Sequence, residues 1–307
     1  MDRRRKQREQ YLQFGKGYYH LCFDHLDGGL MFNTDEAYRV AMCSVALITL
    51  KFPVKIYAFE LMPNHLHIIL SGTGEACCKA FSYLKRRISE QLLKEGYGAL
   101  PAQLGFLLVP IQDRKQMQDL ILYLLRNPYE KGYCMPGGHR WGSGYLLFND
   151  LAVCLEGEKA GEMSARELYR SIHSTVKLPS EWVIHPQLGI LPASYVCLEK
   201  VRQLFPSVKD LFTRAVKDYE TFVRISDSVG EVIEFSDKEV KDIVYSESAV
   251  MYPGKMLKEL FKEEKLQLAV SLNRKYHLDA TAIAVALSLS AHLVRQALRS
   301  KDYGKVQ

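Results

Sequence analysis

Two apolar, strand-like runs on either side of a short turn constrain the fold of this chain more than any other feature. The runs VKIYAFELM (residues 54–62) and HLHIIL (residues 65–70) are rich in β-branched and aromatic residues. Pro63-Asn64 between them is a turn signal. The sequence therefore predicts a β-hairpin, with a turn too short to contain another helix or strand.

Further strands and helices are predicted on both sides of the hairpin. In chain order we predict a strand (18–26), a helix capped by Thr34 or Asp35, the hairpin, a helix (75–95), a strand (105–111) and a helix (113–127). Pro128 is expected to stop the last helix, because proline has no N–H and clashes with the preceding turn.

The first six elements have the order of the split βαβ, or ferredoxin-like, pattern. We therefore expect an α+β fold with an antiparallel sheet, whose helices cover one face and can leave the other face open.

The sequence changes character after Asp150, and we predict three domains. Residues 1–150 hold the sheet and its last helix, residues 151–250 form a mixed, mostly helical connector, and residues 251–307 are helical. In the last part Asp279 and Ser290 are expected helix caps. The two short helices that they begin, with a small-residue turn near Ser288 between them, resemble a helix-turn-helix.

Composition limits the classes of function. The net charge of +6 permits a polyanionic partner. Seven cysteines without a CxxC pair argue against a zinc knuckle and favour a reducing compartment. The longest apolar stretch, residues 40–50, is too short to cross a bilayer, and no apolar region follows the basic start. We expect a cytoplasmic protein with no membrane partner.

His65 and His67 are the first candidate site residues. They lie two apart on a predicted strand, so both imidazoles face the same side and can share one divalent metal, while Leu66 points to the core. The spacing alone is also typical of two solvent-facing histidines.

Tyr123 is the second candidate. With Gln116, Asp119 and Asn127 it falls on one flank of the apolar stripe of its helix. A tyrosine there can attack a phosphodiester and keep the bond energy in a phosphotyrosine link, with a divalent cation as Lewis acid. An ordinary boundary tyrosine is the alternative.

These residues carry a family resemblance. MPNHLHIIL followed by YLLRNPYEKGY, with YYHLCFDH before them and HRWGSGYLLF after them, resembles the single-tyrosine HUH transposases, and most of all the REP-associated tyrosine transposases. The resemblance covers about residues 10–150. Glu130 departs from the basic, small stretch usual at that point. Tyr129 and Tyr133 are rival nucleophiles, expected beyond the proline break and off the flank of Tyr123.

The resemblance implies a metal-dependent endonuclease and strand-transferase acting on single-stranded, hairpin-flanked DNA. It implies Tyr123 as nucleophile, His65, His67 and Asn127 as ligands of Mg²⁺ or Mn²⁺, and a monomer or a homodimer. One alternative is a sequence-specific DNA-binding regulator that is derived from a transposase and does not cleave. A replication-type initiator nickase is another, although its motif order usually differs.

Two basic groups are candidate DNA contacts. Lys85, Arg86 and Arg87 can follow a DNA backbone, or form an ordinary solvated helix face. The candidate reading helix near the C-terminus carries Arg295, Gln296 and Arg299, whose side chains suit base edges and phosphates. A packing or dimer module is the alternative for these last helices.

Overall fold

A computed structural model describes residues 2–26, 29–148 and 156–300. The chain divides into two compact units, residues 1–216 and residues 217–307. The predicted boundary between residues 150 and 151 lies outside the described residues. The division into three domains therefore stays a prediction.

Unit 1 is built on a four-stranded antiparallel sheet. Its strands are β1 (Gly17–Phe23), β2 (Lys55–Met62), β3 (His65–Gly72) and β4 (Phe106–Ile111). The spatial order is β2-β3-β1-β4, and every neighbouring pair is antiparallel. The predicted hairpin is present, with Pro63-Asn64 as its turn, and the expected α+β class is confirmed.

Two helices pack on each other and on one face of this sheet. They are α2 (Asp35–Lys51) and α3 (Gly74–Lys94). A further helix, α1 (Asp2–Leu12), precedes β1 in the chain. The hydroxyl of Thr34 accepts from the backbone N–H of Ala37 at 3.0 Å, so the cap predicted for α2 is confirmed. Leu66 lies in the main core with Ile68 and Leu70, at alternate positions of β3.

The opposite face of the sheet is covered as well, by α4 (Arg114–Glu130), which packs against β2 and β3. Both faces of β3 are therefore buried from His65 to Leu70. The sequence left an open face possible, because an isolated amphipathic helix does not show which sheet surface it will cover.

The prediction that Pro128 stops α4 is wrong, since the helix continues to Glu130. A proline removes its own N–H bond to the carbonyl four residues earlier, but the following residues can still donate. Lys131 N–H donates to Asn127 O at 3.3 Å, and Tyr133 N–H donates to Pro128 O at 2.9 Å. The turn closes at Gly132, which adopts a φ of +73° that favours glycine.

Later segments of unit 1 cover the outer edge of β2. The N–H of Leu61 donates to Trp141 O at 3.1 Å, that of Ser143 donates to Phe59 O at 3.0 Å, and that of Cys197 donates to Ile56 O at 2.8 Å. Pairing of this kind removes an exposed sheet edge.

The rest of unit 1 combines short helices with a small sheet that was not predicted. The helices are α5 (Ala165–Ile172), α6 (Leu198–Arg202) and α7 (Val208–Lys217). The sheet has the order β5-β6-β7, with β5 (Glu158–Lys159), β6 (Val183–His185) and β7 (Gly189–Ile190). Strands this short have no measurable periodicity in the sequence.

Unit 2 is helical. Its helices are α8 (Tyr219–Val229), α9 (Asp237–Met251), α10 (Lys262–Tyr276), α11 (Ala280–Leu287) and α12 (Ala291–Arg299). Asp279 accepts from two backbone N–H groups of α11, and Ser290 from that of Leu293, so both predicted caps are confirmed. Within the described ranges, no helix has the length and apolar character needed to cross a membrane.

The contact between α1 and α3 gives a test of the packing. Gly74, the first residue of α3, donates its N–H to Phe14 O at 2.9 Å, and a Cβ built there would overlap the carbonyl oxygen of Tyr11. Gly74→Ala should lower the free energy of unfolding by about 1–3 kcal/mol, because backbone must shift to admit the methyl group.

Urea unfolding followed by tryptophan fluorescence measures this change, since both tryptophans, Trp141 and Trp182, lie in unit 1. Gly98→Ala is the matched control, because its Cβ would meet nothing within 4 Å. The control should stay within about 0.5 kcal/mol of the wild type. Equal midpoints for the two variants would contradict the proposed packing.

Candidate functional site

His67 and a histidine of the neighbouring strand form the centre of the site. Cys22 pairs with His67 across β1 and β3, and His20 lies two residues from Cys22 on the same face. Nε2 of His20 lies 3.1 Å from Nδ1 of His67, and the two rings lie side by side, with 5.2 Å between centroids and 25° between planes. Both side chains are fully buried.

His65 is held by a different pair of neighbours. Its Nδ1 lies 2.8 Å from Oδ1 of Asn64, within hydrogen-bond distance. The ring of His25, which follows β1, stacks on His65 at 3.9 Å and 18°. His20, His25, His65 and His67 are called the histidine cluster below.

Tyr123 of α4 joins this cluster. Its ring stands edge-on to the ring of His67, with 5.7 Å between centroids and 83° between planes. Asn127, one turn further along α4, is also buried, and its Nδ2 has no hydrogen-bond partner in the described part of the chain. Sequence spacing thus correctly put these two side chains on one flank of the helix.

Most of that flank is buried: Asp119, Tyr123 and Asn127 are buried, and Gln116 is partly exposed. Tyr123 is 1% exposed and Asn127 is 8% exposed. Asp119 on the same flank binds Lys115 at 2.7 Å and Arg214 at 3.4 Å. Asp119 can be buried because it has these two partners, of which Lys115 belongs to α4 itself and Arg214 to the distant helix α7.

The donors of this region fit a divalent cation in chemistry. The rings of His65 and His67 lie 4.8 Å apart between centroids, and each engages Nδ1 with a neighbour, so ligation would use Nε2. Asn127 would bind a cation through its amide oxygen, Oδ1. Its buried Nδ2, which has no hydrogen-bond partner within the described ranges, is a donor and suits an acceptor such as a phosphate oxygen. Two imidazoles and an amide are donors that Mn²⁺ and similar ions accept.

Further donors were missed by the sequence analysis. Ligand atoms of Cys22 and His67 lie within 4.8 Å of each other, as do those of His25 and His65. His20 and Cys22 alternate on β1, which places them on one face, but the sequence does not show that this face meets His67. Only the register between β1 and β3 brings these side chains together.

A buried acid also lies beside the cluster. Glu60 of β2 pairs with His67 across the hairpin and is 2% exposed. Its carboxylate accepts a short hydrogen bond from Nδ1 of His139. Burial raises the pKa of Glu60 above its ordinary value, and the bond from His139 opposes this rise. Nothing in the apolar run around Glu60 indicated this pairing.

The rival tyrosines are placed differently from each other. Tyr129 lies within α4, so the expectation that it follows a helix break is wrong, and the guanidinium of Arg126 lies 5.8 Å from its ring centroid. Tyr133 lies beyond α4, is 54% exposed and stacks on His139 at 6.3 Å.

The three basic residues of α3, Lys85, Arg86 and Arg87, make different kinds of contact. Lys85 donates to the carbonyl oxygens of Ala102 and Leu104, at 2.9 and 2.8 Å. Arg86 is exposed and pairs with Glu90 at 2.8 Å. Arg87 is buried and makes three bonds to the protein.

The three acceptors of Arg87 are Ser44 Oγ at 3.2 Å, His173 O at 2.6 Å and Ile172 O at 2.8 Å. Its guanidinium therefore ties α3 to the end of α5 and is not presented to a DNA backbone. A sequence cannot show this, because the carbonyl acceptors lie at the end of a helix that is distant along the chain.

Helix α12 has the polar face that the sequence predicted. Arg295, Gln296 and Arg299 are all exposed, and their spacing places them on one side of the helix. Val294 and Ala297, on the other side, are buried.

Comparisons with known proteins gave one structural similarity of note. No protein-family model matches this chain, and no curated protein matches it in sequence. The chain is similar to a solved structure of a REP-associated tyrosine transposase bound to a REP hairpin, with a TM-score of 0.36 and 12% sequence identity. The similarity covers 57% of this chain and 93% of that chain.

The two neighbouring arginines of α3 provide a test of their different roles. Arg87→Met should lower the free energy of unfolding by about 3 kcal/mol, because hydrogen bonds from a buried charged group are lost and two carbonyls lose their donor. Arg86→Met should stay within about 0.5 kcal/mol, since exposed ion pairs contribute little. Urea unfolding of both variants measures the difference, and similar losses in the two would refute the structural role of Arg87.

Proposed function

We propose that this chain is a metal-dependent enzyme that nicks and rejoins single-stranded DNA, a transposase of the single-tyrosine HUH type. The observation that carries the proposal is the contact between Tyr123 and His67, whose ring centroids lie 5.7 Å apart. In the family that the sequence resembles, a histidine pair on a strand and a tyrosine on a neighbouring helix carry this chemistry.

Tyr123 is the nucleophile in this proposal. Its phenolic oxygen forms a bond to phosphorus, and the bond between phosphorus and one sugar oxygen breaks. The phenol gives up its proton, and the leaving sugar oxygen takes one up. Attack of a sugar hydroxyl on the phosphotyrosine reverses these changes, so a strand can be rejoined without a nucleotide cofactor.

His65, His67 and Asn127 are the proposed ligands of Mg²⁺ or Mn²⁺. A divalent cation bound there would supply Lewis-acid stabilisation of the scissile phosphate. The chain's own part is to hold two imidazoles in fixed orientations, through the contacts of His67 with His20 and of His65 with Asn64. It also brings the Tyr123 ring beside one of these ligands.

Access is part of the proposal, because Tyr123 is 1% exposed. A phosphate cannot reach a hydroxyl in that state. The proposal therefore requires that the Tyr123 hydroxyl become accessible when DNA binds.

The finer features of the proposal follow the family resemblance. The substrate is single-stranded DNA beside a hairpin, the sheet is of the ferredoxin-like type, and the enzyme acts in the cytoplasm as a monomer or homodimer. Arg86 is the member of the basic run of α3 retained as a DNA contact, because it is exposed.

The test is a denaturing-gel assay for a covalent protein–DNA adduct. End-labelled single-stranded DNA with hairpins, taken from the gene's own flanks and from a randomised pool, is incubated with Mn²⁺. Tyr123→Phe keeps the ring and removes the hydroxyl, so the adduct should fall by several orders of magnitude. Chelation of the metal should abolish it in the wild type.

Tyr129→Phe and Tyr133→Phe are matched controls that should keep the adduct. An adduct that survives in Tyr123→Phe and disappears in one of these variants would move the nucleophile to that tyrosine. Tight DNA binding without an adduct, under every metal tried, would exclude the enzyme.

A DNA-binding regulator is the second candidate, and the exposed polar face of α12 favours it. Arg295, Gln296 and Arg299 suit duplex DNA whether or not the chain cleaves. Cleavage of DNA, which only the first candidate predicts, distinguishes the two.

Salt dependence of duplex binding tests the face of α12. Replacing Arg295 and Arg299 together by alanine should make the slope of log K against log salt shallower by about 2, one unit for each lost phosphate contact. Lys258→Ala with Lys262→Ala removes the same charge from exposed positions of unit 2 outside α12. If the control double variant changes the slope as much, α12 is not the DNA-binding face.

A further inference from the structure

We propose that His20 is a positioning residue that holds the ring of His67 in the tautomer with its proton on Nδ1. In that tautomer Nε2 carries the lone pair that a metal ion needs. The consequence for metal binding rests on the proposed function, whereas the tautomer itself does not.

The contact between His20 and His67 is short, buried and fixed by the sheet. Nε2 of His20 and Nδ1 of His67 are 3.1 Å apart, and both side chains are 0% exposed. The rings are nearly parallel, at 25°. The two residues lie on adjacent antiparallel strands whose register is fixed over six residue pairs. Neither ring can turn away without breaking this packing.

Two neutral imidazoles that share one hydrogen bond must adopt complementary tautomers. If His67 donates from Nδ1, then Nε2 of His20 accepts and the proton of His20 lies on its own Nδ1. If His20 donates instead, the proton of His67 moves to Nε2, which can then bind no metal. A metal site that uses His67 therefore requires the first arrangement.

The neighbouring ligand supports that arrangement. Nδ1 of His65 lies 2.8 Å from Oδ1 of Asn64, and an amide oxygen can only accept. His65 is therefore an Nδ1–H donor. His20 and Asn64 thus each bond to Nδ1 of one proposed ligand, so that Nε2 would be the metal-binding atom of both ligands.

Such partners of metal-binding histidines matter for affinity. The group bonded to the other ring nitrogen fixes the tautomer and the ring plane, and its loss typically lowers metal affinity by about 10–100-fold. His20 does so here from a separate strand, so the site depends on the pairing of β1 with β3.

Nitrogen NMR of the metal-free protein tests the tautomer directly. Histidines labelled with ¹⁵N are observed at about pH 8, where a histidine of ordinary pKa, about 6.5, is neutral. We expect His20, His65 and His67 all to carry their proton on Nδ1, with signals assigned from single-histidine replacements. A proton on Nε2 of His67 would overturn the inference.

Mn²⁺ titration calorimetry tests the consequence. His20→Leu should weaken binding by about 10–100-fold, whereas His20→Gln, whose amide oxygen can accept from His67, should recover most of the loss. Ile69→Val is the matched control, because Ile69 pairs with His20 and is equally buried but has no polar group. It should bind like the wild type.

The outcomes separate the inference from the proposed function. Equal Mn²⁺ affinity in His20→Leu and the wild type, together with an active wild type, would overturn the inference and leave the enzyme intact. Failure of the wild type to bind either Mn²⁺ or Mg²⁺, with His67 still protonated on Nδ1, would support the tautomer and exclude the proposed enzyme.

Discussion

The antiparallel pairing of β1 with β3 is the constraint on which the rest of the site depends. It sets Cys22 opposite His67 and brings His20 within 3.1 Å of the same ring. Because side chains alternate along a strand, a slip of one residue would turn His20 to the other face and remove its contact with His67. The alternation of β3 makes such a slip unfavourable, since it would move Leu66, Ile68 and Leu70 out of the core to the face that α4 covers and turn His65 and His67 into the core.

The proposed chemistry also needs a hydroxyl near the histidine cluster, and helix α4 provides it with Tyr123. Its packing against β2 and β3 buries Tyr123 edge-on to His67. The same packing that orients the tyrosine also hides it, at 1% exposure. Burial strengthens electrostatic interactions, because the effective dielectric constant inside a protein is lower than in water. It also makes the proposed reaction depend on a rearrangement when DNA binds.

Local signals predicted most of the fold, and contacts between distant segments account for what was missed. The turn at Pro63-Asn64 and the caps at Thr34, Asp279 and Ser290 depend on neighbouring residues, and all are present. Pro128 misled the prediction because a proline in the last turn removes one bond and leaves later donors in place.

His20, Glu60 and Arg87 took on roles that depend on strand register or on carbonyls far along the chain. Neither the strand register nor these distant carbonyls can be predicted from the residues that neighbour each side chain in the sequence. The sequence did put Tyr123 and Asn127 on one flank of a helix, but not that this flank is buried.

Peptide mapping of the protein–DNA adduct tests the central claim most directly. Trypsin divides the three candidate tyrosines among three peptides, residues 116–126 with Tyr123, residues 127–131 with Tyr129 and residues 132–140 with Tyr133. After nuclease trimming of the trapped adduct, mass spectrometry should find the nucleotide remnant on peptide 116–126. A remnant on either of the other two peptides would contradict the assignment of Tyr123 as the nucleophile, and an unmodified set of all three would contradict covalent catalysis by this site.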